Sequence, residues 1–443
     1  MTTTPHTTQP PQRTPVKAVL ASWLGTVIEF YDFFIYGLAS SLIFGRLFFP
    51  DFDPLVGTLI ALSTFGVGYV ARPLGAILFG HFGDRLGRKS MLVVTLTMMG
   101  AATFAIGLLR TYATIGVAAP VLLVALRIVQ GLSLGGEYGG AVLMTIEHTG
   151  EHRRGITGGL LNTGAAVGTI TSNLAFIAVL QLPEEALLSW GWRIPFLISA
   201  LLVVVGLAVR VSLAESPTFV AVQERGAVRR LPVIDVIRSH SHRVVLVALG
   251  TVGAGVVITM TTVFSLAYGR EALGMSSSAM LAVLLPALVV TLVGPPLFGQ
   301  LADRLGVRTV FLIGAAGMVI TPFAWFALLD TGQYWLMLLG FALLFVPYSA
   351  NYGVFPGYFS QVFPPAVRYS GMSVGFTIGT IAGNAFAPTI ATAILGSTGS
   401  WVGIAWYMAG MALLSLGAGV LLRFPATSET PAPASTALGA AAG

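Results

Sequence analysis

Gly80-His81-Phe82-Gly83-Asp84-Arg85-Leu86-Gly87-Arg88-Lys89 is answered 219 residues later by Gly299-Gln300-Leu301-Ala302-Asp303-Arg304-Leu305-Gly306-Val307-Arg308. A ten-residue text repeated at close to half of a 443-residue chain marks two homologous halves. Apolar runs of about 20 residues or more flank both copies, each long enough to cross a hydrocarbon core of roughly 30 Å as a helix. Cutting at charges, prolines and glycine clusters predicts helices near 18–45, 55–80, 91–109, 118–146, 156–181 and 191–213. A second set is predicted near 243–268, 278–300, 308–329, 333–358, 368–395 and 401–422. Each copy of the repeat then falls in the loop after the second helix of its half, which makes the halves parallel repeats.

Composition agrees with a membrane as the solvent. Apolar residues make up 55% of the chain and charged ones 9%, against roughly 25% charged in soluble chains. There is no cysteine, hence no disulfide, thiolate metal site or thiol nucleophile. The six histidines (His6, His81, His148, His152, His240, His242) fall in tails or polar segments, and no Walker-type phosphate loop occurs. No enzyme, metal site or cofactor is expected, apart from a proton as coupling ion. The net charge of +6 is scattered over short loops rather than gathered in a nucleic-acid patch. With both termini inside, seventeen Lys and Arg fall in cytoplasmic segments, four (Arg46, Arg110, Arg193, Arg270) in outer loops and two, Arg72 and Arg127, within helices. That bias predicts a multi-pass protein of the cytoplasmic (inner) membrane with cytoplasmic termini. The apolar segment after Lys17 is too long for a signal core and reads as a retained helix. The expected partners are the bilayer and a small solute, the expected state a monomer. Residues 1–16 and 424–443 are predicted to be disordered tails, and 214–242 a cytoplasmic connecting loop.

The pattern Gly-x-x-x-Asp-Arg-x-Gly-Arg-Lys, carried by Gly80, Asp84, Arg85, Gly87, Arg88 and Lys89, resembles the signature loop of the major facilitator superfamily; the second copy has Val307 where the first has Arg88. Further blocks resemble its metabolite and proton symporter family, with carriers for citrate, oxoglutarate, shikimate and proline or betaine. They are Ile28-Glu29-Phe30-Tyr31-Asp32-Phe33-Phe34-Ile35-Tyr36-Gly37, Ala71-Arg72-Pro73-Leu74-Gly75, Gly135-Gly136-Glu137-Tyr138-Gly139-Gly140, Trp190-Gly191-Trp192-Arg193-Ile194-Pro195 and Glu215-Ser216-Pro217. The likeness is dense over 17–220 and thinner later, where Phe363-Pro364-Pro365-Ala366-Val367-Arg368 carries it. It implies an all-α membrane protein of the major facilitator fold, twelve transmembrane helices in two pseudo-symmetric six-helix bundles at 17–213 and 243–423. It implies proton-coupled import of a small organic acid, a mono- or dicarboxylate, by alternating access; a zwitterion or osmolyte symporter and a proton-independent uniporter are the alternatives. It also implies a conformational latch built from the signature residues with Asp303, Arg304 and the nearby Arg72. Physically, Asp84 is an anion suited to a helix N-terminus, and the glycines permit a tight turn.

Five charges fall within helices: Glu29, Asp32, Arg72, Arg127 and Glu137. A charge at the bilayer centre costs at least about 2.5 kcal/mol, so such groups face a cavity or pair up. Glu29 and Asp32, three apart, share a face that Tyr36 continues. Two close carboxylates in low dielectric do not both stay ionised, which is what proton coupling needs. Asp32 is the first candidate for the proton, Glu29 and Glu137 the next. Arg127 with Gln130 resembles the superfamily's helix-four arginine motif, which implies an anchor for a substrate carboxylate. Three acids against two arginines leave one negative charge for one proton to neutralise. In helix ten, between Pro347 and Pro356, Tyr348, Asn351 and Tyr352 are expected on one cavity-lining face, with Asn384 of helix eleven beside them. Gly164-x-x-x-Gly168 and Gly379-x-x-x-Gly383 read as close helix crossings.

Overall fold

The computed structural model describes residues 16–86, 88–135, 141, 142, 145, 146, 153–211, 236, 238–363 and 368–422; for 16–19, 21, 80–86, 88, 89, 92, 210 and 368–370 it describes the backbone alone. Apart from Val16, Val236 and 238–242, the expected tails and connecting loop lie outside these residues, as do Gly87 and Glu137.

Among the described residues, twelve helices carry the fold. In the first half they are α1 (Val16–Ala39), α2 (Pro54–Leu86), α3 (Arg88–Leu108), α4 (Ala118–Leu134), α5 (Arg154–Val179) and α6 (Ile194–Val211). In the second they are α7 (Ser241–Thr259), α8 (Ser277–Ala287, resuming as Val289–Leu305), α9 (Val307–Leu329), α10 (Tyr334–Gly353), α11 (Arg368–Thr380, continuing through a π turn, Ile381–Ala385, to Ala387–Thr398) and α12 (Val402–Leu421). Ten of these helices are long and apolar enough to span a membrane by themselves, and the apolar cores of α3 and α4 are shorter. Among the described residues there is no strand. Outward faces carry Leu201, Ile320 and Trp335, each at least 66% exposed, an apolar surface suited to lipid rather than water.

The halves repeat each other in packing detail. α1 crosses α5 where a Cβ on Gly168 would lie 2.4 Å from the Val27 carbonyl oxygen; α7 crosses α11 where one on Gly379 would lie 2.4 Å from that of Ala248. Only glycine lets backbones approach so closely, so both small-residue pairs are crossing points. α1 and α7 each pass through one π turn, Ser40–Phe44 and Met260–Phe264, and the two turns meet where Ser41 Oγ donates to the Val263 carbonyl at 3.1 Å.

The repeated motif is not the loop that the sequence predicts. α2 runs on to Leu86 and α8 to Leu305, so Asp84, Arg85, Asp303 and Arg304 lie in the last turns of helices, while Arg88 and Lys89 open α3. Nothing before the glycine breaks a helix, and the turn itself falls on Gly306, at φ +90°, a conformation that disfavours any residue with a Cβ. Arg72 is also corrected. It lies twelve residues before Asp84 on the same helix, about 18 Å along its axis, too far to belong to the latch.

Candidate functional site

Between the halves lies a cavity of ≈ 40 Å³, lined from α1, α2, α7, α10 and α11. It has room for a few waters and is far below the roughly 300 Å³ of ordinary ligand pockets. Of the residues lining it, Glu29 and Arg72 carry charge. Arg72 Nη2 is 3.8 Å from Glu29 Oε1, and both residues are at most 8% exposed. The Arg72 guanidinium also sits 4.6 Å from the centre of the Tyr69 ring and 4.9 Å from that of Phe33. Both rings could have been found in the sequence: Phe33 is four residues after Glu29 and Tyr69 three before Arg72, spacings that share a helical face.

The second half faces the cavity without charge. Tyr348 and Tyr352 stack with ring centres 5.4 Å apart and 13° between planes. Asn384 sits in a π turn of α11, Ile381–Ala385, and donates from Nδ2 to the Tyr69 hydroxyl at 2.9 Å across the two halves. Arg72 Nε and Asn384 Oδ1, from two lining residues, are buried without hydrogen-bond partners among the described residues. They offer one N–H donor and one carbonyl acceptor to an occupant. Asn351 departs from its expected place. Its Nδ2 donates to the Phe311 carbonyl at 3.0 Å, toward α9, and it does not line the cavity; three residues past Tyr348 and one before Tyr352, it falls off the Tyr348–Tyr352 stripe, whose members are four apart.

Behind the cavity, Asp32, Arg127 and Gln130 form a separate network. The hydroxyl of Ser199 on α6 donates to Asp32 Oδ1. Thr103 Oγ1 on α3 lies 2.9 Å from Asp32 Oδ2 and from the Met99 carbonyl, with one proton for the two. Gln130 Nε2 donates to Thr103 at 2.7 Å, and Arg127 Nη1 donates to Gln130 Oε1 at 3.0 Å. Arg127 is fully buried, its guanidinium 4.2 Å from the Tyr36 ring centre and 4.3 Å from that of Phe33. Those contacts disperse its charge by cation–π attraction of about 0.5–2 kcal/mol each. Tyr36 shares a hydrogen bond with Thr64 at 2.7 Å. Asp32, Arg127, Gln130 and Tyr36 therefore line a wall and not the cavity. Thr103 and Ser199 gave no sequence signal, since lone hydroxyls in apolar helices usually bond their own backbone.

Each end of the molecule has an inter-half contact. At the motif end, Asp303 accepts from the first amides of α5, Gly155 N at 2.8 Å and Ile156 N at 3.1 Å, an anion set on the positive end of a helix dipole. At the far end, Arg270 donates to the Leu42 carbonyl at 3.1 Å and to Thr58 Oγ1 at 3.3 Å. It sits beneath a wider vestibule of ≈ 740 Å³ that Arg46, Asp53 and Glu271 also line.

Known proteins match this geometry. A family model described as Major Facilitator Superfamily matches residues 22–383 and 287–441. The chain is 36% identical to a shikimate transporter of Escherichia coli (strain K12), over 92% of this chain and 94% of that protein. It is 38% identical to an inner membrane metabolite transport protein of the same strain (90% and 93% covered), and 31% to its proline/betaine transporter (94% and 86%). A solved D-xylose-proton symporter superposes with a TM-score of 0.72 at 17% identity, over 93% of this chain and 97% of that one. A partially occluded inward-open conformation of the xylose transporter XylE from E. coli gives 0.69 at 18%, over 91% of this chain and 96% of that one. With two parallel halves, a cavity between them and relatives aligned over nine-tenths of its length, this chain belongs to the Major Facilitator Superfamily and is a multi-pass membrane transporter.

Proposed function

We propose that this transporter is a proton-coupled importer of a small organic acid, working by alternating access about the cavity between its halves. The observation that carries the reading is the cation and the carboxylate that face each other on that cavity's lining among the described residues, Arg72 and Glu29 at 3.8 Å. A guanidinium is the planar donor that a carboxylate fits, and the carboxylate beside it is a place for a proton. The unpartnered Asn384 Oδ1 wants a donor, which a hydroxylated acid supplies. Among relatives, one is named for shikimate. In this reading the motif end is cytoplasmic, in accord with the distribution of Lys and Arg, and Asp303 of α8, held on the first amides of α5, is the latch that closes it. The protein acts as a monomer in the inner membrane.

A second reading has one observation in its favour. Phe33, Tyr69, Tyr348 and Tyr352 make much of the lining aromatic, and aromatic faces hold quaternary ammonium groups. A zwitterion with its carboxylate on Arg72 and its cation among the rings would suit this wall, and another relative is named for proline and betaine. The experiment is external pH recorded in lightly buffered proteoliposomes during addition of shikimate, citrate, oxoglutarate or glycine betaine. Alkalinisation driven by an acid supports symport of that class. Uptake of betaine alone turns the assignment to zwitterions, and labelled uptake with no pH change removes proton coupling.

A further inference from the structure

The cavity between the halves, at ≈ 40 Å³, is too small for an organic acid, whereas the vestibule at the far end, at ≈ 740 Å³, falls within the roughly 300–1,000 Å³ of ordinary ligand sites. Resting on the reading of carboxylate import with the motif end cytoplasmic, we propose that this vestibule is an outer capture site for carboxylates and that its guanidinium, Arg270, is also the clasp of that end. A carboxylate bound there draws Arg270 off the first half and opens the way to the cavity.

The contacts of Arg270 carry the argument. Past its π turn α7 resumes as Ser265–Glu271, which brings Arg270 to the boundary between the halves. Nη1 donates to the Leu42 carbonyl at 3.1 Å and Nη2 to Thr58 Oγ1 at 3.3 Å, both in the first half. Leu42 belongs to the π turn of α1, and Ser41 of that turn donates to the Val263 carbonyl in the π turn of α7, so the two turns are bridged in both directions. Leu42, Thr58 and Ser41 line the vestibule together with Arg270. A solute in the vestibule therefore lies against the bonds that close the far end. Water entering there can replace the guanidinium on both acceptors, so its release strands no buried polar group.

Charge decides what the vestibule holds. Among the described residues its lining carries Arg46, Asp53, Arg270 and Glu271, two charges of each sign. Selection then falls to a guanidinium that can turn toward the solute. Arg46 is held at 2.6 Å by Glu184, and Asp53 Oδ1 accepts from Leu55 N at 3.0 Å at the head of α2. Arg270 has Glu271 at 3.0 Å, but neighbours along the chain at a surface form weak pairs. Its two partners in the first half are neutral. A carboxylate accepts two parallel N–H bonds from one guanidinium, a stronger set than a carbonyl and a hydroxyl provide, and so displaces them.

The test uses a reporter, Ala254→Cys on the cavity lining of this cysteine-free chain. A membrane-impermeant maleimide added outside intact cells reaches it through the far end. The background is Arg72→Ala, which removes the cavity guanidinium, and the probes are shikimate and citrate against chloride of equal ionic strength. Each carboxylate is expected to quicken labelling by about threefold or more. Arg270→Ala is expected to label at least about tenfold faster with no carboxylate present, and to lose the response. Thr58→Val loosens the clasp and keeps the cation, so it should respond at an about threefold lower carboxylate concentration. An acceleration that needs Arg72 comes from the cavity and overturns the capture site; a basal rate unchanged in Arg270→Ala overturns the clasp. If either alanine variant fails to fold, Thr58→Val in the reporter chain decides, and a response that needs more carboxylate overturns the proposal. Labelling requires no transport. Responsive labelling without uptake of any acid removes the organic-acid reading and leaves the capture site, whereas uptake with unresponsive labelling removes the capture site alone.

Discussion

The first half meets the cavity with Glu29 and Arg72, the second with Tyr348, Tyr352, Thr251, Thr380 and Asn384. Both halves have the same six-helix plan, the same glycine crossings and the same π turn in their leading helix, so the difference lies in the side chains and not in the scaffold. Its consequence is mechanical. The Arg72–Glu29 pair stays within one half, and three bonds that join the halves near the cavity among the described residues are between neutral groups: Asn384 to Tyr69, Asn162 to the Tyr352 carbonyl at 2.8 Å, Ser41 to the Val263 carbonyl. Such bonds contribute about 1 kcal/mol each, whereas separating a buried ion pair costs several. Halves joined in this way can part without stranding a charge, and the charged contacts between them, at Asp303 and Arg270, are at the ends.

The sharpest way to break this contrast is Arg72→Ala, which removes the charge that the second half lacks. On the organic-acid reading proposed above, losing the partner of a bound carboxylate costs about 3 kcal/mol or more, so KM for such an acid is expected to rise at least about a hundredfold in vesicle uptake, with folded yield checked by monodispersity. Asp303→Ala tests the charged end contact. It removes an anion from two α5 amides, worth about 1–2 kcal/mol, and should favour opening at the motif end. Because the chain has no cysteine, an Ala166→Cys reporter on α5 reads this directly, with labelling expected to quicken by about fivefold to thirtyfold. Tyr352→Ala tests the aromatic half, and the loss of one stacked face predicts a KM rise of about tenfold with maximal uptake little changed. The smallest effect belongs to Asn351→Ala: about 1 kcal/mol less stability in thermal unfolding, with KM unchanged, because that amide serves the α9 contact and not the cavity.

Much of this was legible in the sequence because it rests on local pattern. Apolar runs of membrane-spanning length, a text repeated at half the chain, and small residues four apart need no knowledge of neighbours. The five charges that fall within apolar runs could be picked out as candidates for the same reason, since the cost of burying a charge does not depend on where it points. Their roles could not be assigned. Glu29 and Asp32 share a helical face over three residues, yet Asp32 turns to Ser199 and Thr103 while Glu29 meets Arg72, and only the positions of α2, α3 and α6 separate them. Arg127 and Arg72 exchanged expected places in the same way: Arg127 is enclosed by Phe33, Tyr36 and Gln130, and Arg72 reaches the cavity.

The sequence by itself therefore determined the solvent, the number of helices, the two-fold repeat and the short set of buried charges, all properties of composition and spacing along one strand of text. The tertiary structure alone decided which of those charges meet across helices, that the repeated motif ends a helix instead of forming a loop, and that Asp303 of one half caps a helix of the other. A charge acquires its role from its partner, and here the partners lie on other helices, at sequence distances that no local pattern encodes.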